Sequence, residues 1–283
     1  MHTIRVAHSP DSDDAFMYFG IASGAVRGEG IRFEQALADI ESANAAALEA
    51  RYDVTAISAA AYPSLADRYL LLDSGASFGD GYGPAVVVPA ASPIRRIEEL
   101  VGRRIATPGR RTSAALALAL RLPDHVAVAM DFKDVGPAAL RGEVDAGLVI
   151  HEGQLTAAEE GLRIVEDLGK SWTARTGLPL PLGLNAVRRD LPEPVRRAAA
   201  IAWKASIDYG LAHRAQALDY AMTFARGLDR AKADAFVGMY VNGWTQELGA
   251  RGREAVARFL GEAADAGLVP RVALEYQERS PAR

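Results

Sequence analysis

The chain has 283 residues, 49% apolar and 24% charged, with a net charge of −4 and no cysteine. This is the profile of a soluble globular protein of one large domain or two ordinary ones. Scattered Lys and Arg argue against a nucleic-acid partner, and the lack of cysteine excludes disulfides, thiolate nucleophiles and Cys-ligated metals.

The opening stretch MHTIRVAHSPDSDD has no basic segment followed by a long apolar core, so it does not read as a signal peptide. No run approaches the ~18 apolar residues of a membrane span. A cytoplasmic protein with no membrane partner is the expectation. Residues 3–7 read as a buried strand, DAFMYFGIASGAV as a helix behind it, and IRFEQALA as the returning strand. SANAAALEARY continues as a helix, and DVTAISAAAYPSL carries a short strand into another helix. Strands alternating with helices imply a parallel sheet with crossover connections. RYLLLDSGASFGDGYGPAVVVPA then holds two strands around a glycine-rich turn.

After residue 91 the pattern restarts. A short helix precedes the strand Arg104–Thr107, a loop and an Ala/Leu-rich helix; VAVAMDF and VDAGLVI read as strands on either side of the helix VGPAALRGE. LRIVEDLGKSW and LPLPLGLNAVRRDL supply two more strands, and beyond Pro192 the chain reads as helical almost to its end. The expectation is two α/β domains with a helical C-terminal tail: residues 1–88 with 188–283 form the larger, and 89–187 the smaller. Strand C-termini from both would face a central cleft, where open α/β sheets bind ligands.

Four polar clusters fall at that cleft. In HSPDSDDAFM, Ser9, Asp11, Ser12, Asp13 and Asp14 crowd a strand-to-helix junction. One helix cap needs one such residue. The glycine and distal glutamate of a calcium loop do not follow, so the cluster reads either as capping or as an acceptor site for ligand hydroxyls. In TPGRRTSAALALAL, Thr112 and Ser113 suit the first turn of a helix whose amides point outward, an anion site that Arg110 and Arg111 would strengthen. The alternative is a capped surface helix with two solvated arginines. The P-loop pattern is absent.

In DAGLVIHEGQLT, His151 falls where a buried strand ends, followed by Glu152 and Gln154. Position 155 is Leu, so this is not the HExxH zinc motif. The residue is either a structural histidine or a base facing the cleft. His8 is a candidate for support behind the site, whereas His2, His125 and His213 sit at the terminus, in a turn and at a helix end. Ser58 ends a strand and either caps the next helix or touches ligand. Trp203, Tyr209, Phe236, Tyr240 and Trp244 recur at helical spacing and read as core.

In this order the clusters resemble the 1,4-dihydroxy-6-naphthoate synthase family of the futalosine route to menaquinone. The family's S-P-C-P-N-D-T-F motif is similar to Ser9-Pro10-Asp11-Ser12-Asp13-Asp14-Ala15-Phe16. Its Thr/Ser pair and I-H-E stretch resemble Thr112-Ser113 and Ile150-His151-Glu152. Here Cys-Pro is replaced by Asp11-Ser12, Asn by Asp13 and Thr by Ala15. The resemblance implies a periplasmic-binding-protein type II fold and a small-molecule carboxylate substrate. It also implies His151 as general base with no cofactor or metal. Ser9, Asp14, Ser58, Thr112, Ser113 and Glu152 would hold substrate. Chorismate dehydratase-like chemistry and plain binding of a small organic acid share the architecture.

Overall fold

The computed structural model describes residues 1–151, 153–224 and 229–279. The buried apolar run Ile4, Val6 and Ala7 lies in β1 (His2–His8), which is followed by α1 (Ser12–Ala22), β2 (Ile31–Leu37), α2 (Ile40–Leu48) and β3 (Val54–Ser58). β1 runs parallel to both β2 and β3, as the crossover helices require. A 3₁₀ turn, Ala59–Ser64, leads to β4 (Tyr69–Leu71), β5 (Ser77–Gly79) and β6 (Ala85–Pro89). Next come β7 (Arg104–Thr107), α3 (Ser113–Arg121), β8 (Val126–Ala129), α4 (Phe132–Leu140), β9 (Ala146–Val149), α5 (Gly153–Thr156), β10 (Leu162–Asp167), α6 (Leu168–Thr176) and β11 (Leu180–Arg188).

The strands form two sheets. The first has the order β2-β1-β3-β11-β4, with β5 also on β11; the second is β10-β6-β9-β7-β8. Both are mixed rather than parallel, because β11 runs antiparallel to β3 and β6 runs antiparallel to β9 and β10. These strands also correct the expected domain edges at 88/89 and 187/188. β6 already belongs to the second sheet and β11 to the first, so the chain changes sheets between Gly79 and Ala85 and returns between Asp167 and Leu180.

The helical tail completes the first lobe. It comprises α7 (Glu193–Ala212), α8 (Arg214–Met222), α9 (Arg230–Tyr240), α10 (Gly243–Gln246) and α11 (Gly249–Asp265). Trp203 and Ile207 of α7 are buried with Ile4, Val6 and Phe16 in one continuous core. The two helices approach so closely that a Cβ on Gly20 would lie 2.7 Å from Ser206 Cα. Ser206 Oγ uses that proximity, donating to Met17 O (2.7 Å) and accepting from Ile21 N–H (3.1 Å). On the opposite face Phe259 of α11 packs in the same core as Tyr62 and Phe78. The C-terminal segment covers the β4 edge: Leu71 N–H donates to Glu275 O, and Gln277 N–H to Leu71 O.

The outgoing crossing and the start of α6 run in backbone contact. A Cβ on Gly83 would lie 2.9 Å from Gly169 Cα, and one on Gly169 would lie 1.8 Å from Tyr82 O. Gly169→Ala should therefore cost about 1–3 kcal/mol through overpacking, seen as a lower urea midpoint. An unchanged midpoint would show that the contact is not needed for the fold.

Candidate active site

A cleft of about 710 Å³, counting its opening to solvent, lies between the lobes. The first lobe contributes Ser9, Asp13 and Asp14 at the β1–α1 corner, the end of β3 at Ser58, the β11 segment Leu182–Asn185, and Phe236 and Tyr240 of α9. The second lobe contributes the start of α3, Thr112–Ala114, with Ile150, His151 and Gln154 after β9.

The acidic corner is held from behind by His8, which is fully buried. Its Nδ1 lies 2.7 Å from Ser9 O and its Nε2 lies 2.8 Å from Gln35 Nε2. The carbonyl can only accept and the amide nitrogen can only donate, so the proton is assigned to Nδ1 and the ring is neutral. Burial pushes His8 below its ordinary pKa, against the nearby Asp14 and Asp11 carboxylates and the bond to Ser9. Asp14 accepts from Ser9 N–H at 2.8 Å through Oδ2. Burial pushes its carboxyl up; the Asp11 charge acts in the same direction, while His8 and Ser9 oppose it. Asp14 thus keeps its proton to higher pH than an ordinary carboxyl.

Ser58 is set by Asn44, a buried residue of α2. The Asn44 amide donates to Ser58 Oγ (3.0 Å) and its carbonyl accepts from Ser58 N–H (2.8 Å). Thr112 caps α3, accepting from Ala115 N–H at 3.2 Å. Ser113 Oγ donates to Leu182 O (2.6 Å) and accepts from Ala60 N–H (3.2 Å), so it ties the second lobe to the first. The amides of Ser113 and Ala114 have no hydrogen-bond partner among the described residues, and both residues line the cavity. Two unpaired amides at a helix start suit a carboxylate.

The arginines do not take part. Arg110 and Arg111 are exposed, their loop is gripped by Glu41 of α2, and Arg111 Nη1 lies 3.2 Å from Glu41 Oε1. The expected arginine reinforcement of the anion site is therefore corrected: among the described residues, no Lys or Arg lines the cavity. Glu152, the remaining predicted contact, lies outside the described residues.

His151 sits in the left-handed region at φ 52°, with its side chain 19% exposed. The turn carries the ring into the cleft as the chain leaves β9. There it meets Phe132 and Phe236 edge-to-face, at centroid distances of 5.2 and 6.5 Å. Its Nδ1 lies 3.6 Å from Asp11 Oδ2. Among the described residues, no three His, Asp or Glu side chains converge as a metal site would require.

Sequence reasoning missed several wall residues. Phe236 and Tyr240 were assigned to the core by their helical spacing; both are buried, yet both face the cavity. Tyr240 OH exchanges hydrogen bonds with the Gln154 amide across the cleft, at 3.0 and 3.1 Å. Burial pushes its phenol up, so it stays protonated. Asn185 also lines the cavity; its Nδ2 donates to Gly75 O at 2.7 Å and its buried Oδ1 has no partner among the described residues. One polar residue in the apolar run LPLGLNAV was the signal available for it.

Two lobes linked by two crossings, with a ligand-sized cleft between them, define the periplasmic-binding-protein class of fold. The alkanesulfonate-binding protein of Xanthomonas axonopodis pv. citri, solved with bound MOPS, superposes with a TM-score of 0.73 at 15% identity, over 97% of this chain and 96% of that one. A crystal structure of a protein from Archaeoglobus fulgidus matches more closely, with a TM-score of 0.89 and 46% identity over 95% of this chain and 99% of that one. The chain belongs to the menaquinone biosynthesis family, whose model matches residues 4–265. It is 41% identical to the 1,4-dihydroxy-6-naphthoate synthase of Thermus thermophilus, over 95% of this chain and 96% of that protein.

The raised Asp14 carboxyl carries a stability consequence. A buried acid with a raised folded pKa favours the native state at low pH, and that contribution is lost as pH rises from its unfolded value through its folded one. Asp14→Asn should then raise the thermal midpoint near pH 7 and give little gain near pH 4. A lower midpoint at both pH values would show that the ionised carboxylate stabilises the fold.

Proposed function

We propose that this chain converts cyclic dehypoxanthine futalosine into 1,4-dihydroxy-6-naphthoate in the cytoplasm, with His151 as the general base. The observation that carries this reading is one imidazole lining the same cleft as two amides that have no partner among the described residues. The reaction abstracts a proton and cleaves a carbon–carbon bond, releasing the sugar-derived fragment, and aromatisation drives it forward. The base must therefore reach a carbon acid in a site from which water is largely excluded. His151 fits that demand, projecting from the second lobe between two aromatic rings.

The remaining walls divide the substrate between them. The amides of Ser113 and Ala114 take the carboxylate, and the apolar surface of Ile57, Leu184 and Phe236 takes the ring that becomes aromatic. Ser9, Asp14 and Ser58 face the sugar-derived hydroxyls. Their fixed positions, set by Ser9 N–H, His8 and Asn44, are the preorganisation such recognition needs.

His151→Ala should lower kcat for naphthoate formation by about 100- to 10,000-fold, while substrate affinity by calorimetry stays within about tenfold. Full activity in the variant would remove His151 as the base. Binding without turnover in the unmodified protein would leave a receptor for a small organic acid. Loss of water from chorismate in the same assay would point instead to dehydratase chemistry.

A further inference from the structure

Asp11 holds the N-cap position of α1, with extended backbone angles (φ −93°, ψ 155°) suited to capping, yet its carboxylate makes no cap hydrogen bond. It is instead buried, 5% exposed, with Oδ2 at 3.6 Å from His151 Nδ1. The two residues come from different lobes: Asp11 follows β1 of the first sheet, and His151 follows β9 of the second.

We propose that Asp11 is a positioning residue for His151, a carboxylate on the first lobe that orients the imidazole of the second. The inference rests on His151 being the base. In the step concerned, the substrate proton moves to Nε2 while Nδ1–H faces Asp11, and the imidazolium so formed is stabilised by the carboxylate beside it. The carboxylate also fixes which nitrogen carries the resting proton, leaving Nε2 free to accept. Asp13, Asp14 and Tyr240 are the other titratable groups on the described cavity wall. Among the described residues, Asp11 is the acid within ion-pair reach of the ring.

The test uses Asp11→Asn, which keeps the shape and removes the charge, and Asp11→Cys, which replaces the carboxylate with a smaller thiol. Both should lower kcat for naphthoate formation roughly tenfold or more, with KM within about threefold. Nitrogen NMR of the His151 ring in the resting protein should place its proton on Nδ1, and Asp11→Asn should shift the ring toward the other tautomer. Circular dichroism and thermal midpoints report whether the variants fold, and the tautomer reading needs no activity. An unchanged tautomer in Asp11→Asn overturns the pairing whatever His151 does in catalysis, as does full activity in Asp11→Cys. If His151→Ala proves active while the tautomer still shifts, the pairing stands and the assignment of the base fails.

Discussion

The Ser113 hydroxyl joins the two lobes at the point on which the site depends. It donates to a carbonyl of β11 and accepts from an amide just beyond β3, so both of its bonds cross the seam. Ser113 is also the first residue of α3, and those two bonds aim the helix start. The amides of Ser113 and Ala114 are left facing the cavity. The carboxylate site proposed there is built from backbone dipoles, which carry no mobile charge and need no counter-ion. Its strength comes from exclusion of water, because the same dipoles act much more strongly in a low-dielectric enclosure. The chemistry and the enclosure are therefore one requirement.

Other contacts hold the same seam. Glu41 grips the backbone of the Arg110–Arg111 loop, and Gln154 meets Tyr240 across the opening. Lys232 of α9 reaches Glu159 beyond α5, an exposed pair of small energetic weight. The contacts differ in kind, from a buried amide–phenol pair to a solvated ion pair. Together they hold the two lobes against each other. The tail takes part directly, since α9 supplies both Tyr240 and Lys232. A helical extension that began as cover for the first sheet also walls the site.

Much of this was readable in the sequence, for a physical reason. Ser9, Asp14, Ser58, Thr112, Ser113 and His151 all stand where a strand ends or a helix begins, and such ends face the cleft in any α/β sheet. Local pattern identifies those positions without knowledge of the partner lobe. The failures share the opposite cause. Whether Arg111 faces the cavity depends on a carboxylate 70 residues away in the chain and on Gly109 at φ 106°. Which sheet receives β6 depends on its pairing with β9 and β10, strands that come much later in the chain. Tyr240 has the spacing and burial of a core residue, and only the position of Gln154 shows that the buried face looks onto a ligand space. Long-range geometry left no local trace in these cases.

The central claim is that the two lobes enclose a carboxylate at the start of α3 and present its ring system to His151. A crystal structure of the protein with 1,4-dihydroxy-6-naphthoate tests it most directly. The account predicts the product carboxylate on the amides of Ser113 and Ala114, with the ring edge toward His151 Nε2. A carboxylate seated instead against Arg110 and Arg111 outside the cleft, or an imidazole turned away from the bound ring, would contradict it.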